Sequence, residues 1–532
     1  MARSGLSVWR AAAIGIFLPV AGSVVAQTTA PLSVIDWLDS PSPRAELPRA
    51  PIKQTSKKPK VIDEPAVTDS ATAPTVTTLP LDAAAPRNVG LVPASITGMK
   101  PDLWARSDAA ALARSLKSLP ELELPAPNAL LFTILLAEVA APNGDPAAQD
   151  ILTRARVQKL MDLGAVDPAL ALAEQAGAAT SRTLFDDWAQ LSMLVGTEDT
   201  ACGALSRAPY LTQDAGLRIF CAARGGDWDT AALTFGSAKA LKLLPREKLD
   251  VLDRFLNPDF FEDAAPLPVP RKPDPLIFRL FETIGEALPT GPLPRAYAVA
   301  DLRDIAGWKS QLEAAERLTR AGALPDNRLL GLYTDRKPAA SGGIWDRVRT
   351  VQRFDTALET GSAEAVAKTL PAVWREMKRA GVEVSFATAF QARLDGLELK
   401  GNSARVQARI GLLSPAYETV AVNLPDTLSL GPNTDLIRAV ATGDVPKDAP
   451  TTALPRAIFD AFAAPAPRDE WIEMAKNGRL GEALIATLDS LRDGIRGDSR
   501  ALREALGTLR ALGLEDTARR TALQVLLLER SL

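Results

Sequence analysis

Histidine is missing altogether from this 532-residue chain. Its absence removes the usual general base, the commonest metal ligand and the one side chain that ordinarily titrates near neutral pH. Serine-hydrolase triads and histidine-containing zinc sites are therefore excluded. Aromatic residues are scarce too, at 5%, and much of the 47% hydrophobic content is alanine. Many Ala and Leu with few β-branched or aromatic runs favour helix, because Ala loses no side-chain entropy there. Charge of either sign is nearly balanced, 61 Lys and Arg against 64 Asp and Glu. A nucleic-acid binder needs a strongly basic face, and a net charge of −3 gives no such footprint.

Long apolar runs are confined to the start. MARSGLSVWR supplies a basic region with Arg3 and Arg10, AAAIGIFLPVAGSV an apolar one, and VVAQ small residues at Val24 and Ala26. That order reads as a secretory signal peptide, residues 1–26, cleaved after Ala26. Gly15 and Pro19 break the apolar stretch, and no later segment approaches the ~20 residues of a membrane span. No cysteine follows the cleavage position, so a lipoprotein is not expected. The expectation is an exported, periplasmic protein with no stable membrane insertion after cleavage.

Only Cys202 and Cys221 carry sulfur for a bridge. In an oxidising compartment their spacing suits a disulfide between neighbouring helices, with a turn around Tyr210 to Asp214. Buried free thiols are the rival reading. There is no C-x-x-C, and two sulfurs without histidine make a poor metal site, so no cofactor is expected.

Residues 27–98 are rich in Pro, Thr, Ser and charge, as in SPSPRAELPRAPIKQTSKKPKVIDEP, and predict a disordered tail. From about residue 99 the pattern becomes helical. DPAAQDILTRARVQKLMDLG, VDPALALAEQAG and SRTLFDDWAQLSMLVG each carry helical spacing and end at Gly. Short turns between them predict antiparallel hairpins. The frame L-x-x-L-G-x-x-D-x-A occurs at 160–169 and 509–518, with a shortened G-D-W-D-T-A at 226–231. In it, Gly164, Gly226 and Gly513 are placed to end a helix in the left-handed conformation. Asp167, Asp229 and Asp516 are placed to cap the next one, with Pro168 at its first position. Ala169, Ala231 and Ala518 let the two helices approach closely. The fold class this predicts is all-α, a tetratricopeptide-like solenoid of helical hairpins behind the tail. A Pro-rich stretch at 257–275 divides it into helical blocks at 99–256 and 276–532. The segment 382–413 alternates like a strand at Val-Glu-Val-Ser-Phe, but Ala, Gln, Arg and Leu dominate it, and helix is the reading taken.

Catalytic constellations are few without histidine. Asp186 and Asp187 are adjacent, so on a helix they diverge by about 100° and cannot converge on one substrate. DSLRDGIRGDSR, 489–500, fails as a calcium loop because Leu491 and Arg500 occupy ligand positions. Some exported lytic transglycosylases of the cell wall pair helical hairpins with a lysozyme-like domain bearing a catalytic Glu-Ser, and this chain has no Glu-Ser dipeptide. The tryptophans at 104, 188, 228, 308, 345, 374 and 471 read as core anchors of hairpins rather than as a sugar-stacking groove. In GGIWDRVRTVQRFD, 342–355, a glycine pair introduces Trp345 and then Arg347, Arg349 and Arg353, residue types enriched where proteins bind one another, although an ordinary amphipathic helix after a loop is the reading favoured.

The stretch PLSVIDWLDS, 31–40, is the one apolar cluster in the tail. Leu32, Val34, Ile35 and Leu38 share an arc of a helical wheel with Trp37 at its edge, which predicts a short amphipathic docking helix. It folds back on its own solenoid, recruits an envelope protein, or has no role beyond following the signal peptide. PLSVIDWL (31–38), VGLVPASITGMKPDLW (89–104) and LLSPAYETVA (412–421) together resemble a group of uncharacterised exported bacterial proteins. Some of these carry the label "antifreeze glycopeptide-related". This chain has no array of Ala-Ala-Thr repeats of the kind that builds antifreeze glycopeptides, and the resemblance carries over no catalytic residue. In layout alone the chain is similar to exported helical accessory proteins of flagellar motors. The functional expectation is a non-catalytic scaffold binding envelope proteins, the alternatives being a cell-wall enzyme, a carbohydrate binder or a periplasmic chaperone.

Overall fold

The computed structural model describes residues 88–528. Among them the chain is all-α, and extended pairing is limited to the isolated bridges Val89–Val139 and Val92–Ala137. The helices begin with α1 (Ala94–Thr97), α2 (Ala109–Ser118), α3 (Pro125–Leu136), α4 (Pro146–Asp162) and α5 (Val166–Gln175). Next come α6 (Phe185–Val195), α7 (Glu198–Arg207), α8 (Ala215–Arg224), α9 (Trp228–Ala240) and α10 (Arg246–Leu256). Beyond the Pro-rich stretch lie α11 (Pro275–Thr283), α12 (Trp308–Arg320), α13 (Asp326–Thr334), α14 (Ile344–Glu359) and α15 (Ala363–Ala380). The chain continues through α16 (Glu383–Leu394), α17 (Gly401–Leu413), α18 (Tyr417–Asn423), α19 (Thr434–Thr442) and α20 (Ala453–Ala463). It ends with α21 (Asp469–Lys476), α22 (Leu480–Ile495), α23 (Ser499–Ala511) and α24 (Glu515–Leu527). The ambiguous segment 382–413 is thus helical, as α16 and α17.

The turn grammar works through its glycines and alanines. Gly164, Gly226 and Gly513 have φ of 83°, 83° and 81°, the left-handed region that ends a helix without a Cβ clash. Ala169, Ala231 and Ala518 are fully buried where successive helices touch. The aspartates act differently from expectation. The capping positions before α5 and α24 are Ala165 and Leu514, and α9 is capped by Asp227, whose carboxylate accepts from Thr230 N. Each helix starts earlier than the motif suggests, so Asp167, Asp229 and Asp516 lie in the first turn. There they complement the positive end of the helix dipole rather than cap it. Pro168 likewise falls after the first helical position.

Cys202 on α7 and Cys221 on α8 form a disulfide, buried between two helices that pack on each other. Closing a loop of 19 residues, it stabilises by about 3 kcal/mol in the chain-entropy picture.

Two sequence boundaries move. Residues 88–98 belong to the folded region rather than the tail: Val89 pairs with Val139, and Gly90 N donates to Gln175 Oε1 at 2.9 Å. The Pro-rich stretch 257–275 does not separate the helices into blocks, because the described residues on both sides of it fall in one compact unit. Glu198 of α7 is 1% exposed and accepts from Arg279 of α11 at 2.8 and 3.0 Å, with Arg224 at 3.3 Å. Arg279 also meets Glu282, which meets Arg303. Burial pushes the Glu282 carboxyl up, but these two guanidiniums outweigh it and hold it below its usual range.

The chain then closes on itself. Gly481 N, at the start of α22, donates to Leu103 O at 3.0 Å, and Arg106 N donates to Gly478 O at 3.1 Å. Ala126 N on α3 donates to Gln524 Oε1 on α24 at 2.9 Å. Trp104, fully buried, lies against Gly481 so closely that a Cβ there would sit 2.1 Å from the indole.

Arginines hold this arrangement by capping the carboxyl ends of neighbouring helices. Arg156 of α4, fully buried, donates to Leu135 O (2.7 Å), Ala137 O (2.7 Å) and Val89 O (2.9 Å). Arg510 donates to Ala461 O (2.9 Å) and Phe462 O (3.2 Å) at the end of α20. Arg519 reaches Val440 O (2.9 Å) and Ala441 O at the end of α19, while stacking over Tyr417 at 5.2 Å. The last carbonyls of a helix have no internal partner and carry the negative end of its dipole, so a guanidinium answers both needs. Burial pulls the Arg156 guanidinium down, to about 9. The three carbonyls favour its charged form at neutral pH.

Candidate interaction surfaces

The segment Leu32, Val34, Ile35, Trp37 and Leu38 lies outside the described residues. The other sequence-derived contact surface, Trp345 with Arg349, is visible and divided. Gly342 and Gly343, with φ of 92° and 54°, turn the chain into α14. Trp345 then packs on Trp308 with ring centroids 5.1 Å apart, half-buried, which makes it a hairpin anchor rather than an exposed hot spot. Arg347 turns inward: Nη1 meets both oxygens of Glu316 at 2.7 and 2.9 Å, and Tyr333 donates its hydroxyl to the same carboxylate at 2.7 Å. Burial, and then Glu316, push the Tyr333 phenol well above its ordinary range, so it stays a donor.

Arg349 turns outward. It donates to Ala340 O at 2.8 Å and pairs with Asp346. Hydrogen bonding from Gly342 N, followed by Arg349, holds the Asp346 carboxyl below its usual range. Between α14 and α15 lies a cleft of about 610 Å³ lined by Arg349, Arg353, Thr356, Thr360, Lys368 and Thr369. Gln352 borders it and is committed elsewhere, donating to Tyr333 O at 2.9 Å and Arg336 O at 2.6 Å. Lys368 pairs with Glu364 at 2.8 Å, and that hydrogen bond raises its pKa. Arg353 is exposed, and no carboxylate lines the cleft. Thr356, Thr360 and Thr369 donate their hydroxyls to backbone carbonyls of their own helices, so with Arg349 and Lys368 ion-paired the donor the cleft presents is the Arg353 guanidinium.

A second cleft, about 620 Å³, lies between α2, α4 and α6. Several of its polar groups are engaged within the protein. Arg154 meets Asp187 at 2.7 Å, Gln158 donates to the same carboxylate at 3.2 Å, and Lys159 donates to Leu119 O, closing the end of α2. Burial pulls the Lys159 ammonium down against the attraction of Asp162 and Glu121, and burial pushes the Asp162 carboxyl up. Perturbed groups in a cleft can mark chemistry. Here the ammonium is held by a backbone carbonyl, which is a structural task. Asp186 and Asp187 diverge as the helical geometry requires: Asp187 faces Arg154, while Asp186 faces Thr212 and is raised mainly by burial.

A third surface is apolar, and the sequence reading missed it. Trp104, Trp188, Trp308, Trp374 and Trp471 are buried anchors as expected. Trp228 is not: it is 50% exposed at the start of α9, with Leu233, Leu241 and Leu243 exposed along the same helix and the turn after it. The signal was available in WDTAALTFGSAKA, which has a single acid and a single base where an outer face should carry several charges.

Among the described residues no cluster of three or more metal-ligating side chains could hold an ion, and no helix is long and apolar enough to cross a membrane. Compared with known proteins, the chain matches no family model, no curated protein and no solved structure.

Proposed function

We propose that the protein is an exported, non-catalytic helical scaffold that holds another component of the bacterial cell envelope. Periplasmic export rests on the signal-like first 26 residues. The observation that carries the binding reading is the α14–α15 cleft. The exposed Arg353 guanidinium, beside the ion-paired Arg349 and Lys368, borders a space that no carboxylate lines. Such a lining suits a partner segment rich in carboxylates or hydroxyls, because guanidinium and carboxylate match in a two-pronged geometry. The inward Arg347–Glu316–Tyr333 cluster fixes α14 from behind, so the outward arginines sit on a rigid element.

The test captures an envelope partner on the purified protein, identifies it, and measures its affinity for the parent and for Arg353→Glu with Lys368→Glu. Charge reversal in the cleft is expected to weaken binding about tenfold or more. Undiminished affinity in that variant contradicts the reading. So does a fall in turbidity when the protein alone is added to purified peptidoglycan.

A further inference from the structure

We propose that the outer face of α9 is a self-association surface, on which a second copy of this chain docks its own α9 in antiparallel orientation about a twofold axis. A helix exposed to water on one side normally carries charge there. The outer arc of α9 instead carries Ala232, Leu233, Gly236, Ser237 and Ala240, with Leu233 74% and Leu241 69% exposed. Gly236 stands in mid-helix, where glycine lowers stability relative to alanine. Nothing inside the molecule asks for it, since a Cβ at Gly236 would meet no atom within 4 Å. Its use lies outside the chain, in letting another backbone come close.

The charges select the occupant and its direction. Asp227 and Asp229 mark the start of α9, and Lys239 and Lys242 its end. Asp229 stands in the first turn of α9, seven positions before Gly236, and Lys242 lies two residues beyond the last, Ala240, six positions after Gly236. An antiparallel copy centred near Gly236 therefore sets Asp229 of one protomer opposite Lys242 of the other, twice. It also sets Ala232 over Ala240, brings Leu233 within a helical turn of Leu241, and opposes the two helix dipoles. A parallel copy sets like charges together. Lys242 itself has φ of 54°, a conformation that the other helix ends assign to glycine, and it carries Leu241 and Leu243 on either side, the latter 59% exposed. Isologous pairing of one patch with itself is the commonest route to a dimer.

The experiment is light scattering and sedimentation of the purified protein between roughly 1 and 100 μM, the range in which modest interfaces associate. The mass of the parent is expected to rise to twice the monomer value. Gly236→Gln should remain monomeric with an unchanged helical spectrum, since the side chain meets open space in the monomer. Asp229→Lys and Lys242→Asp should each weaken association about tenfold, and the two together should restore it. Arg353→Glu, in the α14–α15 cleft, should leave the mass unchanged, which separates this inference from the envelope-binding reading. A parent that stays monomeric throughout overturns the proposal, as does a dimer that survives Gly236→Gln or a double swap that fails to restore it.

Discussion

Replacing Arg156 with leucine is expected to destabilise the protein by on the order of 4 kcal/mol, although the residue touches no surface and pairs with no acid. Its guanidinium is the partner of Leu135 O and Ala137 O at the end of α3 and also binds Val89 O. Removing it leaves Leu135 O and Ala137 O buried without a donor, at about 1–3 kcal/mol each, while Val89 O keeps Val139 N, and it opens space besides. Lysine should not rescue the loss, because three carbonyls in three directions match a planar fork and not a point charge. Arg154, two residues away, is the internal control. Its own side chain is 47% exposed and the buried Asp187 carboxylate keeps Gln158 as a donor when the arginine is gone, so Arg154→Ala should cost on the order of 1 kcal/mol. Denaturant midpoints of the three variants decide the matter. An Arg156→Leu effect no larger than that of Arg154→Ala would remove the structural role assigned to the buried arginines.

The second large effect is expected at Gly481. Any side chain there overlaps the Trp104 ring, whose nearest atoms are 2.1, 2.2 and 2.5 Å from the position a Cβ would take. The indole is fully buried and cannot swing aside, so the overlap must push the 101–106 turn off α22. Gly481→Val is expected to lose about 3 kcal/mol or more, beyond the ordinary range of overpacking because backbone pairing goes with it. Gly226→Ala supplies a contrast: its left-handed φ makes it unfavourable, but no atom lies within 4 Å, so about 1 kcal/mol is expected. Thermal unfolding ranks the two. Equal shifts would mean that Trp104 does not seat the chain ends together.

Local features were legible in the sequence because they are written in consecutive residues. The glycine that ends a helix, the alanine that lets the next one approach, and the two cysteines flanking one turn all act within some twenty positions. The expected capping aspartates lie two residues past the actual cap positions because the backbone, not the side chain, starts α5 and α24, and helix ends are the least determined feature of such a pattern. Closure was not legible at all. Gln524 meets Ala126 and Gly481 meets Leu103 across most of the chain, and neither pair has a periodicity to betray it. The Pro-rich stretch 257–275 looked like a divider because composition says nothing of the buried Glu198–Arg279 pair that spans it. Arg156 reads as one more surface charge on a helix. Trp228 misled in the opposite sense, since an anchor and an exposed contact have the same letter.

Hydrogen exchange at the amides of Arg106 and Gly481 tests most directly whether the first helices seal against the last. Both amides bridge the two ends of the folded chain. Closure into one unit predicts protection equal to that of core amides in α4 and α12, released only by global unfolding. Exchange at the pace of frayed termini, while α4 and α12 stay protected, would contradict it.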